Sequence, residues 1–148
     1  MSVTPEFWLG AVWRATMGRE VLAVGGDRSG TVRLYAHRNA SSGRVTAAII
    51  NLGTAPATVD VALVGGNGST GHGHGIGLDA GAGYALYQLT AYPPSAGLEA
   101  GGVALNGEPL ALGAGGAVPP FTPRRVQPGA GTAVVAPPHS VSFCAWGP

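Results

Sequence analysis

Lysine is absent from the 148 residues, and cysteine occurs once, as Cys144. Without lysine the chain cannot build a Walker A phosphate loop, a Schiff base with a carbonyl substrate or a pyridoxal site. A single cysteine excludes an internal disulfide framework and any zinc site made from several thiolates. The sequence therefore lacks the residues that several large classes of functional site require.

Charge and long apolar runs are also scarce. Eight arginines against seven acids leave a formal net charge of +1, and Arg124 and Arg125 are the only adjacent basic pair. A nucleic-acid-binding protein usually concentrates basic residues on one face, so this class is disfavoured. No apolar run approaches the roughly 20 residues that span a bilayer. With no basic segment followed by an apolar stretch, the sequence predicts neither a transmembrane segment nor a signal peptide within this chain.

Glycine is abundant instead. The 26 glycines and 12 prolines exceed the usual shares of about 7% and 5%. Hydrophobic residues nevertheless make up 45% of the chain and lie in discrete runs, which favours one ordered domain with long loops. Nine of the glycines fall within residues 65–83, where we expect a flexible loop.

The N-terminal segment predicts an amphipathic helix. Thr4 can cap its N-terminus, Pro5 suits the first helical position, and Glu6 faces the positive end of the helix dipole. A broad apolar face follows, and Gly18 is a natural terminator. The members of this face are Trp8, Leu9, Val12, Trp13 and Met17. Each tryptophan brings a large apolar surface, about 150–250 Å², that another part of the structure must cover.

After Gly18 the apolar pattern changes from a helical period to a period of two. Short strands are expected at residues 20–24, 31–37, 44–51, 58–64, 84–91, 103–105, 109–112, 132–136 and 139–146. Asn106-Gly107 is a strong signal for a two-residue hairpin turn. Strands and helices do not alternate, which argues against a parallel α/β sheet. The sequence predicts a mainly β fold, an antiparallel β-sandwich or barrel of about eight strands preceded by one N-terminal amphipathic helix.

No group of side chains predicts a catalytic, cofactor-binding or metal site. His72 and His74 lie in the glycine-rich loop with only Asp79 nearby, so an exposed loop is favoured over a metal centre. No Gly-x-Ser-x-Gly motif marks a nucleophile. Cys144 lies in the last predicted strand and is expected to be a core residue.

The acids do not form a recognisable catalytic pair. A glycosidase needs two carboxyl groups facing one cleft. Glu6 belongs to a helix start, Asp60 to an outward strand face and Glu108 to a tight turn, so each has a local structural explanation. Two Asn-x-Ser sequons, at Asn39 and Asn67, fall in expected loops and would suit glycan acceptors in a secreted protein.

Several segments, taken in order, carry a family pattern. Residues 5–18 read PEFWLGAVWRATMG and are followed by Val21-Leu22. Further pieces lie at 32–37, 48–52, 87–93, 97–98, 103–107 and 109–110, and a tail includes Pro123, Pro128, Pro137 and residues 141–143. Their order and spacing resemble heparanase-like glycoside hydrolases, glycoside hydrolase family 79. The glycine-rich segment 65–83 interrupts the pattern and is interpreted as an insertion.

The resemblance implies a (β/α)₈ barrel followed by a C-terminal β-sandwich, with both catalytic glutamates in the barrel and one of them preceded by asparagine. This sequence has no Asn-Glu dipeptide, so neither glutamate has a matching position. On this interpretation residues 1–19 are the last helix of a barrel that this chain lacks. Residues 20–148 are then the C-terminal β-sandwich domain.

The expected function is that of a non-catalytic domain in a heparanase-like (endo-)β-glucuronidase, an enzyme that hydrolyses O-glycosyl bonds in glucuronic-acid-containing glycans. The domain would brace the barrel of the same polypeptide through Trp8, Leu9, Val12 and Trp13, need no cofactor, and meet glycan only through the parent enzyme. It would be inactive alone. The family resemblance implies an extracellular, lysosomal, vacuolar or membrane-associated location.

A second hypothesis is a stand-alone β-sandwich module that binds carbohydrate or protein. It requires several stacking aromatic rings on one exposed face. The candidates are Tyr35, Tyr84, Tyr87, Tyr92 and Trp146. With only 7% aromatic residues, the supply is small.

Overall fold

The computed structural model describes residues 3–25, 30–61, 83–127 and 133–147. Within these ranges the chain forms one α-helix, α1 (Pro5–Thr16), and ten short strands. The strands are β1 (Glu20–Leu22), β2 (Val32–Arg38), β3 (Val45–Asn51), β4 (Ala57–Asp60), β5 (Tyr84–Tyr92), β6 (Gly102–Leu105), β7 (Glu108–Pro109), β8 (Arg124–Val126), β9 (Ala133–Ala136) and β10 (Ser140–Trp146). Two 3₁₀ turns lie at Pro94–Glu99 and Ala114–Gly116.

The strands form two antiparallel sheets. The larger has the order β1-β2-β3-β10-β5-β6-β7, and β8 pairs with β5 as well. The smaller consists of β4 and β9. The prediction of a mainly β, antiparallel fold with one N-terminal helix is confirmed.

The two faces of the large sheet bury different partners. On one face Ile49, Leu86 and Cys144 pack with Val134 and Ala136 of the small sheet. This is the sandwich core. On the other face the sheet buries the apolar side of α1. The described part of the domain therefore has three layers, with the large sheet in the middle.

The first residue of α1 agrees with the sequence prediction, but the capping bond at its start and the role of Gly18 at its end do not. Thr4 has extended backbone before the helix and Pro5 takes the first position, but the Thr4 side chain makes no capping hydrogen bond to the helix backbone. The helix ends at Thr16. Gly18 is required for another reason: a Cβ there would lie 2.0 Å from the Arg38 carbonyl oxygen. The chain crosses β2 so closely that only glycine fits.

The predicted Asn106-Gly107 hairpin is confirmed. Both residues have positive φ, 51° and 92°, and Leu105 pairs with Glu108 across the turn. Strand β7 stops at Pro109, before the expected 109–112 range. Strand β8 was not predicted, because three residues beside Pro123 show no alternating pattern. The glycine-rich residues 65–82, with His72, His74, Asp79 and Asn67, lie outside the described residues.

Candidate functional site: helix α1 and the groove beside it

Two of the four residues predicted to contact a barrel are enclosed by the domain itself. Trp8 is 2% exposed and Val12 is 0% exposed. Both belong to the apolar cluster that includes Ala48, Leu89 and Phe143 of the large sheet. The chain's own sheet therefore supplies the cover that the first indole and Val12 require.

The other two predicted residues are half-buried. Leu9 and Trp13 lie at the margin of the same cluster. The Trp13 ring makes edge-to-face contacts with Tyr35, His37 and Phe143, with ring centroids 6.2, 5.6 and 6.0 Å away. These contacts fix the indole over β2 and β10. Contact of Leu9 and Trp13 with a barrel stays a prediction.

Polar contacts anchor the C-terminal end of α1 to the sheet. The hydroxyl of Thr46 and the guanidinium of Arg44 donate to the Thr16 carbonyl oxygen, at 2.8 and 3.3 Å. A ring nitrogen of His37 lies 2.8 Å from the Gly18 carbonyl oxygen. The two bonds to Thr16 satisfy a carbonyl group that the helix end leaves without an intrahelical partner, and the His37 contact holds the segment that follows the helix. The helix orientation is therefore set by the sheet.

An apolar groove of about 390 Å³ lies beside the N-terminal half of α1. Its walls come from the first helical turns, the 3₁₀ turn 94–99 and the ends of β3, β5 and β10. Leu98 and Leu52 stand at this groove with 70% and 51% exposed surface. Both residues fall in segments of the family pattern, but the sequence predicted no contact role for either. A leucine in a Gly/Pro-rich turn indicates a contact surface only weakly, since single exposed leucines are common on protein surfaces.

Two ionisable side chains, Glu6 and His139, line the groove. The hydroxyl of Thr4 hydrogen-bonds the Glu6 carboxylate and lowers its pKa. Glu6 therefore carries a negative charge at neutral pH. No arginine is among the described residues that line the groove, and Glu6 gives its helix end a negative charge.

Two further titratable groups, Glu20 and Cys144, have structural explanations. No group of three or more His, Cys, Asp or Glu among the described residues could hold a metal ion. Glu20 forms an ion pair with Arg38 across β1 and β2. Cys144 is 0% exposed, and burial raises its pKa to about 12, so it is not a nucleophile near neutral pH.

Asn39 lies in the turn between β2 and β3. Its side-chain oxygen accepts hydrogen bonds from the backbone N–H groups of Ser41 and Ser42, at 3.0 and 3.2 Å. This Asx-type turn is a surface position of the kind that glycan acceptors occupy. Glycosylation of Asn39 stays a prediction.

The described aromatic residues do not build a stacking platform. Tyr84 and Trp146 are each 6% exposed and contact one another within the sandwich core. Tyr35 and Tyr92 are each 45% exposed. Strand register puts Tyr35 and Tyr87 on the α1 side of the sheet, whereas Tyr92 alternates to the opposite side. The exposed rings therefore do not share one face.

The length of helix α1 can be compared with the thickness of a lipid bilayer. Helix α1 has twelve residues, about 18 Å, against a hydrocarbon core of about 30 Å. Among the residues that the structure describes, no helix combines the length and apolar character needed to cross a bilayer.

Comparisons with known proteins give structural neighbours only. No protein-family model and no curated protein matches this sequence. Fourteen chains of solved structures match its fold. One is an arabinose-bound α-L-arabinofuranosidase, MgGH51, with a TM-score of 0.54 and 20% identity over 96% of this chain and 19% of that chain. Another is CelM2, a bifunctional glucanase-xylanase from a metagenome library, with a TM-score of 0.48 and 16% identity over 88% of this chain and 18% of that chain. This chain spans about a fifth of the length of these structures.

Proposed function

We propose that this chain is the non-catalytic C-terminal β-domain of a larger glycoside hydrolase, of the heparanase-like β-glucuronidase type. The observation that carries the proposal is the match of 96% of this chain to 19% of the arabinofuranosidase chain. A domain of similar fold thus forms a minor part of that hydrolase polypeptide. The heparanase-like type rests on the sequence segments at residues 5–18 and onward. In such a protein the domain would brace a barrel that carries out the hydrolysis.

The exposed side of α1 supports a bracing role. Trp8 and Val12 hold the helix on the sheet, so the opposite side of the helix is left to face a neighbour. That side carries Phe7, which is 40% exposed, together with exposed Gly10 and Arg14. An apolar ring beside a small residue suits close packing against a second helix. In this proposal α1, within residues 1–19, contacts the large sheet on one side and the barrel on the other.

The chemistry of the described residues also supports a non-catalytic role. Retaining hydrolysis needs a nucleophile carboxylate and an acid/base carboxyl group about 5 Å apart. Glu20 is engaged by Arg38, and Glu6 and Asp60 lie on α1 and β4, in different layers. Catalysis would therefore come from residues of the parent polypeptide. Asn39 would be a glycan acceptor if that polypeptide follows a secretory route.

The first test measures hydrolysis of a chromogenic β-glucuronide by the purified 148-residue chain. We expect no turnover above the uncatalysed rate. Turnover that follows the protein through purification would overturn the assignment of catalysis to other sequence.

A second test identifies the form that the source cells make. Antibodies against the chain should detect a species about five times heavier than 14.7 kDa, in proportion to the matched structures, and should co-precipitate β-glucuronidase activity. A species of 14.7 kDa alone, without that activity, would contradict the proposal.

The stand-alone module remains the second candidate because the sheet covers Trp8 and Val12 without help. A self-sufficient core is what an independent domain needs. The scattered positions of Tyr35 and Tyr92 argue against glycan stacking, so a protein ligand would be the expected partner. Glycan-array binding that is lost in a Tyr35→Ala variant would favour a sugar-binding module instead.

A further inference from the structure

The hairpin turn between β6 and β7 contains a dipeptide that can react without any enzyme. An asparagine followed by glycine loses its side-chain amide more readily than other asparagines, which are already thermolabile, because glycine has no side chain to hinder attack by its own backbone nitrogen. Asn106-Gly107 is one of two such pairs in the chain, and Asn67-Gly68 is the other. Gly107 is exposed, so water reaches the turn.

The reaction needs water as its only co-reactant. The Gly107 backbone nitrogen forms a bond to the side-chain carbon Cγ of Asn106, gives up its proton and expels the side-chain nitrogen as ammonia. Water then opens the cyclic imide at either carbonyl carbon. The product is aspartate or isoaspartate, and in isoaspartate the main chain runs through Cγ. Overall, an amide group and a water molecule become a carboxylate and an ammonium ion.

The fold ties down the side chain that must react. The Asn106 amide nitrogen donates to the carbonyl oxygens of Leu86 and Thr122, at 3.0 and 3.2 Å. The amide oxygen accepts from the Gln88 N–H at 3.0 Å. Both donors that an asparagine side chain carries are therefore in use. Because ammonia departs with that nitrogen and the imide closes around Cγ, the reaction has to break these hydrogen bonds.

The backbone on either side of the turn is held as well. The Asn106 N–H donates to the Gln88 carbonyl oxygen, and the Leu110 N–H donates to the Val103 carbonyl oxygen, both at 2.8 Å. The imide can form only in molecules whose hairpin has opened. In a folded protein such molecules are a small fraction, set by the free energy of local opening.

We propose that Asn106 is a spontaneous modification site that the fold protects, and that its conversion to aspartate or isoaspartate makes opening of the β6–β7 hairpin irreversible. The rate of conversion in the folded chain is the rate in the open chain multiplied by the open fraction. This inference concerns the domain itself and does not depend on the proposed function.

The reaction is one-way for the fold because neither product restores the bonds of Asn106. A carboxylate only accepts, so aspartate at this position cannot donate to the Leu86 and Thr122 oxygens and places a negative charge beside them. Isoaspartate also lengthens the main chain within a two-residue turn and disturbs the pairing of Leu105 with Glu108. Carbonyl groups that lose their donors cost more than an average hydrogen bond contributes.

The first experiment measures the reaction with and without the fold. The 148-residue chain is incubated at mildly alkaline pH in buffer and in concentrated urea. A glutamate-specific protease then releases residues 100–108, which contain Asn106 without Asn67, and mass spectrometry with chromatography quantifies both products. In urea Asn106 and Asn67 should convert at similar rates. In buffer Asn106 should convert more slowly by roughly a hundredfold or more. Equal rates at Asn106 in buffer and in urea, or no conversion in urea, would overturn the proposal.

Gly107→Ala identifies the attacking atom, and urea removes any influence of folding on the comparison. This variant should convert Asn106 several-fold more slowly than the parent chain, because alanine hinders its own backbone nitrogen, and should leave the rate at Asn67 unchanged. An unaltered rate at Asn106 would show that the Gly107 nitrogen does not attack, and the proposal would be wrong.

The second experiment asks whether the modified chain recovers the fold. Chain incubated in urea is returned to buffer and treated briefly with a protease that cuts unfolded polypeptide. Products at position 106 should be depleted from the resistant fraction. Equal proportions in the resistant and digested fractions would show that the modification is harmless and would contradict the proposal.

Asn106→Asp reproduces one product directly and should raise the unfolded fraction by at least about tenfold. Asn39→Asp is the matched control, because it adds the same charge where the side-chain oxygen accepts from the Ser41 and Ser42 N–H groups, as a carboxylate also does. It should unfold at the urea concentration of the parent chain. If Asn106→Asp unfolds there too, the modification does not prevent closure of the hairpin and the inference fails.

Discussion

At the residue scale, Cys144 shows how burial alone decides the chemistry of a side chain. It lies on β10 in the sandwich core, beside the small sheet. Removal from water disfavours the thiolate and raises the pKa from 9.0 to about 12. The same sulfur in an exposed, electropositive position would be reactive.

This shift makes stability depend on pH in the alkaline range. The unfolded thiol ionises near pH 9 and the folded one near pH 12, so the folded state holds the extra proton between these values. The free energy of unfolding should therefore decrease as pH rises from 9 to 12, by up to about 1.4 kcal/mol for each pH unit. Urea unfolding at a series of pH values measures this slope.

Cys144→Ala is the control for that slope. The free energy of unfolding of this variant should fall less steeply over the same pH range. Part of the decrease should remain, because burial also raises the pKa of Tyr84. Equal slopes for the parent and the variant would show that the thiol does not carry the effect.

At the element scale, Asn106 joins three strands at one edge of the large sheet. Strand β5 pairs with β8 at residues 84–86 and with β6 at residues 89–92. Asn106 fills the interval: its N–H donates to the Gln88 oxygen, and its side-chain oxygen accepts from the Gln88 N–H, at 2.8 and 3.0 Å. Its amide nitrogen also donates to the Leu86 and Thr122 oxygens, at 3.0 and 3.2 Å. A hairpin residue thus continues the hydrogen bonding of the sheet.

Asn106→Ala should lower the free energy of unfolding by about 2–3 kcal/mol. It removes three side-chain hydrogen bonds and replaces asparagine, which tolerates positive φ, by alanine, which tolerates it less well. Asn106→Gly separates these causes, because glycine accepts the φ of 51° but lacks the amide. Chemical denaturation should place it between the parent and the alanine variant. If the glycine variant matches the parent, the side-chain hydrogen bonds contribute nothing to stability.

At the scale of the whole molecule, the large sheet is stable only with both faces covered. The small sheet covers one face and α1 the other. Removing water from both faces is what the 45% hydrophobic content makes possible in a domain of this length. The helix is therefore part of the domain core as well as a candidate contact with a parent enzyme.

Trp8→Ala should lower the free energy of unfolding by about 3–5 kcal/mol, because it leaves a cavity between α1 and the sheet. Phe7→Ala, next to it on the helix but 40% exposed, should cost less than about 1.5 kcal/mol. Urea unfolding followed by tryptophan fluorescence and far-UV circular dichroism compares the two variants. Similar losses for both would mean that α1 does not depend on the sheet through Trp8.

Local sequence determined the helix, most of the strands and the hairpin turn. The i, i+4 spacing of Trp8 and Val12 predicted the helix, alternation predicted most strands, and Asn106-Gly107 predicted the hairpin, which the structure confirms. Each of these features depends on neighbours a few residues away, and that information is present in the sequence pattern.

Tertiary structure alone decided which surfaces are covered. The sequence shows that α1 has an apolar face, but only the fold shows that Ala48 and Phe143 cover Trp8 while Leu52 and Leu98 stay exposed. Strand β8 likewise forms only because β5 offers a free edge beside β6. Burial depends on contacts between residues that are far apart in sequence and come together only in the folded chain. A local sequence pattern does not encode these long-range contacts.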